Sequence, residues 1–576
     1  MSVVSARPVM PPASRSPSSG PARGWIVNSW VDQLLILLTP LIAAPALWML
    51  HSPRVGIKAE TISLIVTAFF ATGHHLPGLI RAYGDRELFE RFQWRFLLAP
   101  PLVFLAYFPL YNYHFDLYRL IILVWATWHG LMQLYGFMRI YDAKVGSTSS
   151  TTAHWDWAAC LCGFVTPQFF RAEKLSGTLN NWYSLGGPLL SNGTLEALRW
   201  GSLGISLFVA VGYSINYVVQ TYRGRQPSSL KLLMLISGIG MWWYAIVYVE
   251  NLILGVALFD ICHDVQYLAI VWLFNCRRVS SNPQLGGFMK YVFRRGMVLL
   301  YLGLITAYGA LGLLGSQVMN GSISQIFTGI LFTSTILHYY YDGFIWKVRE
   351  TANQQGLGVS QSVGSPRTTP APAPVGNFSH LLKWSPALLI GGLLFTTDFL
   401  DPPLTIARKT ELDQRYSQAL LGTTVLPQDE QERSWLFEQF QRTQHIAAVV
   451  PADQWARLRA AIMLANFGRN DEAVVALEGL LQERPTFGEA YLALGSINLY
   501  RGNLEQAAGR LESALSYAQT DETRSKANLK LGELLLLTHD EPGAAAKFEE
   551  ALRQDPKLEP TVAAVRQKVK PSQNPL

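Results

Sequence analysis

Five histidines fall inside runs apolar enough to sit in a bilayer, where an ionisable side chain facing lipid costs about 2.5 kcal/mol or more. They are His74 and His75 in "FFATGHHLPGLI", His129 in "WATWHGLMQLYGFMRIYDAK", His263 in "FDICHDVQYLAIVWLF" and His338 in "ILHYYYDGFIWKVRE". Residues four apart share a helical face, which aligns His129 with Gln133, His263 with Tyr267, and His338 with Asp342. Asp260 and Gln266 extend the polar stripe around His263. Imidazole is the commonest ligand for zinc, copper and non-haem iron, and a carboxylate completes an iron site that leaves positions open for oxygen and substrate. The expected metal ligands are therefore His74, His75, His129, His263 and His338, with Asp342, Gln133 and Tyr267 as the catalytic partners beside them. Asp342 or Asp264 would also fix the tautomer of a ligating histidine.

Such a site needs helices that carry these positions to one depth. A span takes about 20 mostly apolar residues, and eleven segments approach that length, centred on 33–50, 62–80, 96–113, 118–140, 155–170, 200–221, 230–249, 252–275, 297–315, 324–346 and 385–400. All five histidines lie on even-numbered members of this series. Lys and Arg concentrate in the N-terminal arm and in alternate loops, which puts the N-terminus in the cytoplasm and whatever follows the eleventh span outside it. Arg81, Arg139 and Lys347 follow their histidines at similar intervals, so three of the helices place their imidazoles at similar depth. Arg277 follows His263 at a longer interval, and His263 is expected to sit out of register.

Half of the 576 residues are apolar, and the formal charge of +7 resides in loops between hydrophobic runs. That distribution fits retention at a membrane face and gives no nucleic-acid signal. The four cysteines, Cys160, Cys162, Cys262 and Cys276, lie in or beside the apolar runs and read as packing residues without a disulfide framework. Trp and Tyr near span ends, including Trp128, Trp346 and Tyr141, read as interface anchors. The expected organisation is a disordered basic arm over 1–24, a polytopic membrane domain over 25–350, a Pro/Ser-rich cytoplasmic linker over 351–384 and a last transmembrane helix over 385–402. A connecting helical segment over 403–452 and a repeat domain over 453–570 complete an all-α chain.

The repeats are "AAIMLANFGRNDEAVVALEGLLQERP", "YLALGSINLYRGNLEQAAGRLESALSYA" and "ANLKLGELLLLTHDEPGAAAKFEEALRQDP". Ala473 and Ala507, like Leu477 and Leu511, are 34 residues apart, while Leu494-Gly495 and Leu531-Gly532 are offset by 37. This pattern resembles tetratricopeptide repeats, in which small residues let two antiparallel helices pack closely. The resemblance implies an α-helical solenoid that offers a concave surface to a protein partner.

The histidines spread over several helices resemble polytopic membrane oxygenases, of the fatty-acid desaturase and hydroxylase type or the β-carotene dioxygenase type. The HxxxH and HxxHH boxes of the desaturases are absent, since "GHHLPG" holds only an adjacent pair. The resemblance implies a non-haem iron oxidoreductase that takes a lipid or another hydrophobic membrane-soluble molecule. Alternatives are a haem held by two of the histidines, a transporter or assembly scaffold whose His and Asp line a polar path, and interhelical hydrogen bonding alone.

Overall fold

The computed structural model describes residues 24–359 and 404–569, apart from 114, 148, 282–284, 286, 318–320, 348–350 and 419–425. Among the described residues every regular element is a helix. They fall into two compact units, one drawn from Met1–Leu105, Ala126–Val165 and Gly204–Arg367 and the other from Ala106–Trp125, Thr166–Leu203 and Thr368–Leu576. The arm of residues 1–23, the linker from 360 and the apolar run 385–400 lie outside the described residues.

The apolar runs become α1 (Ser29–Leu37), α2 (Thr39–His51), α3 (Ala59–Gly84), α4 (Arg86–Tyr113), α5 (Phe115–Lys144) and α6 (Ser150–Val165). After α7 (Ala172–Ser184) come α8 (Asn192–Tyr222), α9 (Ser229–Tyr248), α10 (Leu252–Ser281), α11 (Val298–Gln317) and α12 (Gly321–Ile345). Six of them, α3, α4, α5, α8, α9 and α10, are long and apolar enough to cross a membrane, and α1 with α2, bent by 52°, makes a seventh if the pair is one span. The expected eleven spans thus reduce to six or seven by length and composition among the described residues. Helix α6 has only 16 residues and buries Asp156, and the apolar part of α11 is short.

Local chemistry sets the ends and breaks of these helices. The Asn28 side chain accepts from the Val31 amide and caps α1, while the Asp32 carboxylate accepts from the amides of Ile26 and Val27. Pro40 stands in the first turn of α2, where a missing amide donor costs nothing. Within α3 the turns at Thr67–Thr72 widen to a π-helical step, and a new helix starts at His75. Pro77 falls in the first turn of the restarted helix, so the break in α3 lies upstream of it. A Cβ on Gly309 of α11 would lie 2.2 Å from the Ala68 carbonyl oxygen in that step, so only glycine lets α11 approach so closely.

Several basic residues that would mark membrane edges are instead ion-paired in the first unit. Lys231 is fully buried, 2.8 Å from Asp142 and 3.1 Å from Asp156, and Arg139 reaches the same two carboxylates. Arg278 binds Asp85, and Arg277 donates to the Ile26 and Leu357 carbonyls. Arg81 is buried against Phe274 and Trp346 and donates to Asn353, on a short helix α13 (Thr351–Leu357) that occupies the start of the expected linker. Tyr141 is likewise buried, donating to Asp32 at 3.1 Å, and is not an interface anchor. All four cysteines are free.

In the second unit α14 (Ile406–Asp413) and α15 (Glu430–Val449) precede three helical hairpins. The hairpins are α16 (Gln454–Asn466) with α17 (Asn470–Glu483), α18 (Gly488–Tyr500) with α19 (Leu504–Tyr517), and α20 (Asp521–Leu537) with α21 (Glu541–Gln554), followed by α22 (Glu559–Val569). Side chains of Asp453, Thr520 and Asp540 cap α16, α20 and α21. The repeat positions Ala473, Ala507 and Ala544 are fully buried, as are Leu477, Leu511 and Phe548 one helical turn on. A Cβ on Gly495 or Gly532 would meet Leu511 or Phe548 at 2.7 and 2.6 Å, so the second and third hairpins each close at a glycine. The hairpin turns also repeat, with left-handed backbone at Gly468, Gly502 and His539.

Candidate metal centre

The four histidine-bearing helices of the first unit, α3, α5, α10 and α12, bring all five histidines of the apolar runs into one buried cluster. His74 Nε2 lies 2.9 Å from His338 Nε2, which lies 3.0 Å from His129 Nε2. One proton on His338 Nε2 is aimed at only one of these two neighbours, and the other contact is left without a well-directed hydrogen bond.

The tautomer of His74 follows from its surroundings. Its Nδ1 is 3.1 Å from the Phe70 carbonyl and 2.9 Å from Asp264 Oδ1. Both partners accept, so Nδ1 carries the hydrogen and Nε2 presents a lone pair toward His129 and His338. His338 is oriented through its own helix. Its Nδ1 faces Asp342 Oδ2 at 3.8 Å, while Asp342 Oδ1 accepts from Tyr267 (3.1 Å) and from the Trp346 indole (2.9 Å). Trp346 therefore helps hold the carboxylate instead of anchoring an interface. His338 Nδ1 and Asp264 Oδ2 are buried with no hydrogen bond among the described residues.

Donor atoms close enough to share an ion come from His74, His129 and His338, and from His74, His263 and Asp264; within each group they lie within 4.8 Å of one another. Cis ligands with bonds of about 2.0–2.1 Å sit about 2.9 Å apart at a right angle, which matches the His74–His338 and His338–His129 spacings of the first group. Two axial ligands of a haem would be about 4 Å apart across the iron, with the porphyrin between them. The His74–His338 and His338–His129 pairs are both too close to be the two axial ligands of one haem.

His263 joins the cluster, its ring 5.0 Å from that of His129 and 5.5 Å from that of His74. The expected register offset fails because Arg277 is bonded to backbone carbonyls of the first unit, so its distance along α10 says nothing about depth. His75 stacks on His338 at 4.8 Å and turns Nδ1 to Ser334, which accepts from Tyr308. It belongs to neither donor group. Gln133 donates to the His263 carbonyl and braces α5 against α10 without presenting an atom to the Nε2 set. Sequence reasoning passed over Ser334 and Tyr308, since serine and tyrosine in an apolar helix give no signal without their partner.

A cavity of about 150 Å³ opens beside the cluster, and His74, His129, His263, Asp260 and Asp264 face it. Comparison with protein families, with characterised proteins and with solved structures finds no significant match.

Proposed function

We propose that this chain is a multi-pass membrane oxidoreductase of the oxygenase class, holding a metal ion on His74, His129 and His338 and acting on a hydrophobic, membrane-soluble substrate. The observation that carries the reading is the convergence of three imidazole Nε2 atoms at 2.9 and 3.0 Å. A metal bound there supplies open coordination positions and redox chemistry. The chain's own groups do the rest. Asp264 holds His74 in one tautomer, Asp342 faces Nδ1 of His338 across 3.8 Å, Tyr267 and Trp346 hold Asp342, and the buried surroundings exclude bulk water. Non-haem iron is the proposed metal, on the strength of imidazole ligands with carboxylates at hand.

The helical hairpins are read as tetratricopeptide repeats that bind a protein partner, which the recurrent buried Ala, the closing glycines and the left-handed turns support. The proposed topology puts this domain opposite the N-terminus. Helix α7 packs against α15, with His445 donating to the Leu190 carbonyl at 3.0 Å, so the two lie on one side of the membrane. Between them run α8, α9, α10 and the pair α11 and α12, an odd number of crossings. One more crossing between residues 346 and 429 restores parity, and 385–400 is the run with the composition for it.

Metal analysis and a visible spectrum of the purified full-length protein test the centre. One iron per chain without a Soret band is the expected result. A Soret band would replace this reading with haem, and a folded protein free of any bound metal would leave only a hydrogen-bonded histidine cluster.

A further inference from the structure

The cavity beside the histidines is small. Its volume of about 150 Å³ is below the 300 Å³ or more, roughly, of pockets that enclose a whole ligand. Away from the histidines its walls are Thr67 and Ala71 of α3, Ala126 of α5, Phe259 of α10 and Tyr339 of α12. Phe259 closes one side tightly, since a Cβ on Gly130 would lie 2.7 Å from its ring. Asp260 also faces this space, and no hydrogen bond among the described residues engages its carboxylate. Asp264, one turn on, is held by His74. A half-buried carboxylate at the edge of an apolar slot is costly unless a donor meets it.

We infer that this cavity receives the hydroxyl-bearing end of an unbranched alkyl chain, with the hydroxyl donating to Asp260 and the adjoining carbons packed against Ala71, Ala126 and Phe259. The inference rests on the metal centre proposed above and narrows its substrate class, because a fused-ring lipid does not fit the volume. The remainder of a long chain lies outside the cavity.

The experiment uses full-length protein in nanodiscs loaded with cobalt(II), whose visible bands report on its surroundings. 1-Hexanol should shift those bands saturably, hexane far less, and the fused-ring alcohol decahydro-2-naphthol not at all. Asp260→Asn should weaken the 1-hexanol response about tenfold, the worth of about one hydrogen bond, with cobalt content unchanged. Ala71→Phe should abolish the response at the same cobalt content. Equal responses to hexane and 1-hexanol, a full response to the fused-ring alcohol, or a response that survives Ala71→Phe would each overturn the inference. Cobalt bound without any alcohol response defeats this proposal alone, whereas failure to bind cobalt defeats the metal centre itself.

Discussion

At the scale of single residues, the cluster separates histidines by what their second nitrogen does. His74 and His338 each face a carboxylate with Nδ1 and turn Nε2 to a common point, while His75 spends Nδ1 on Ser334 and stacks on His338. His129→Ala and His338→Ala should therefore abolish stoichiometric metal binding, and His75→Ala should retain it. Asp342→Asn should lower metal affinity about 10- to 100-fold, the usual effect of losing a carboxylate behind a ligating histidine. Metal content after dialysis against graded chelator checks all four, and equal losses in every variant would show that general misfolding, not ligation, is being measured. The histidines were legible in the sequence because an imidazole in an apolar run is conspicuous. Their division of labour was not, because Asp264, Ser334 and Phe70 matter only through contacts between helices.

At the scale of elements, polar residues decide where helices bend and how closely they pass. The widened turns of α3 place His74 and His75 at a helix start, so adjacent residues project differently into one cluster. The repeat hairpins show the same economy in their turns. Gly468 and Gly502 adopt positive φ of 79° and 78°, and His539 occupies the equivalent place at 62°. A side chain in that region costs about 1 kcal/mol or more relative to glycine. His539→Gly should stabilise the α20–α21 hairpin by about 1 kcal/mol, seen as slower amide exchange of that hairpin in the full-length protein. Faster exchange would show that the His539 side chain contributes more than its backbone costs. Here the sequence spacing already marked the hairpins, while the strained third turn became visible only from φ.

At the scale of the whole molecule, counting charges along the chain addresses which side the N-terminus is on, whereas counting helix crossings addresses only whether α7 and the repeat domain share a side, and a fusion experiment tests both. The first relied on Lys and Arg as edge markers, although Lys231, Arg81 and Arg278 turn out to be buried partners of Asp142, Asn353 and Asp85. The second uses only the packing of α7 against α15 and the parity of the helices between them. A periplasm-active reporter fused after residue 576 should be active and one fused before residue 24 inactive. A reporter moved to residue 360 should again be inactive, and activity there would remove the need for a crossing at 385–400.

The amino-acid sequence by itself determined the helical class, the apolar runs, the repeat period and which side chains were costly enough inside those runs to require a reason. Periodicity and composition are local, and these properties need nothing more. Only the tertiary structure decided that His263 joins the others in one cluster, that Tyr141 is a buried and Trp346 a half-buried hydrogen-bond donor, and that Asp260 looks into an open space. Each of these depends on which helix lies opposite, and distances between helices are set by packing that no single segment encodes.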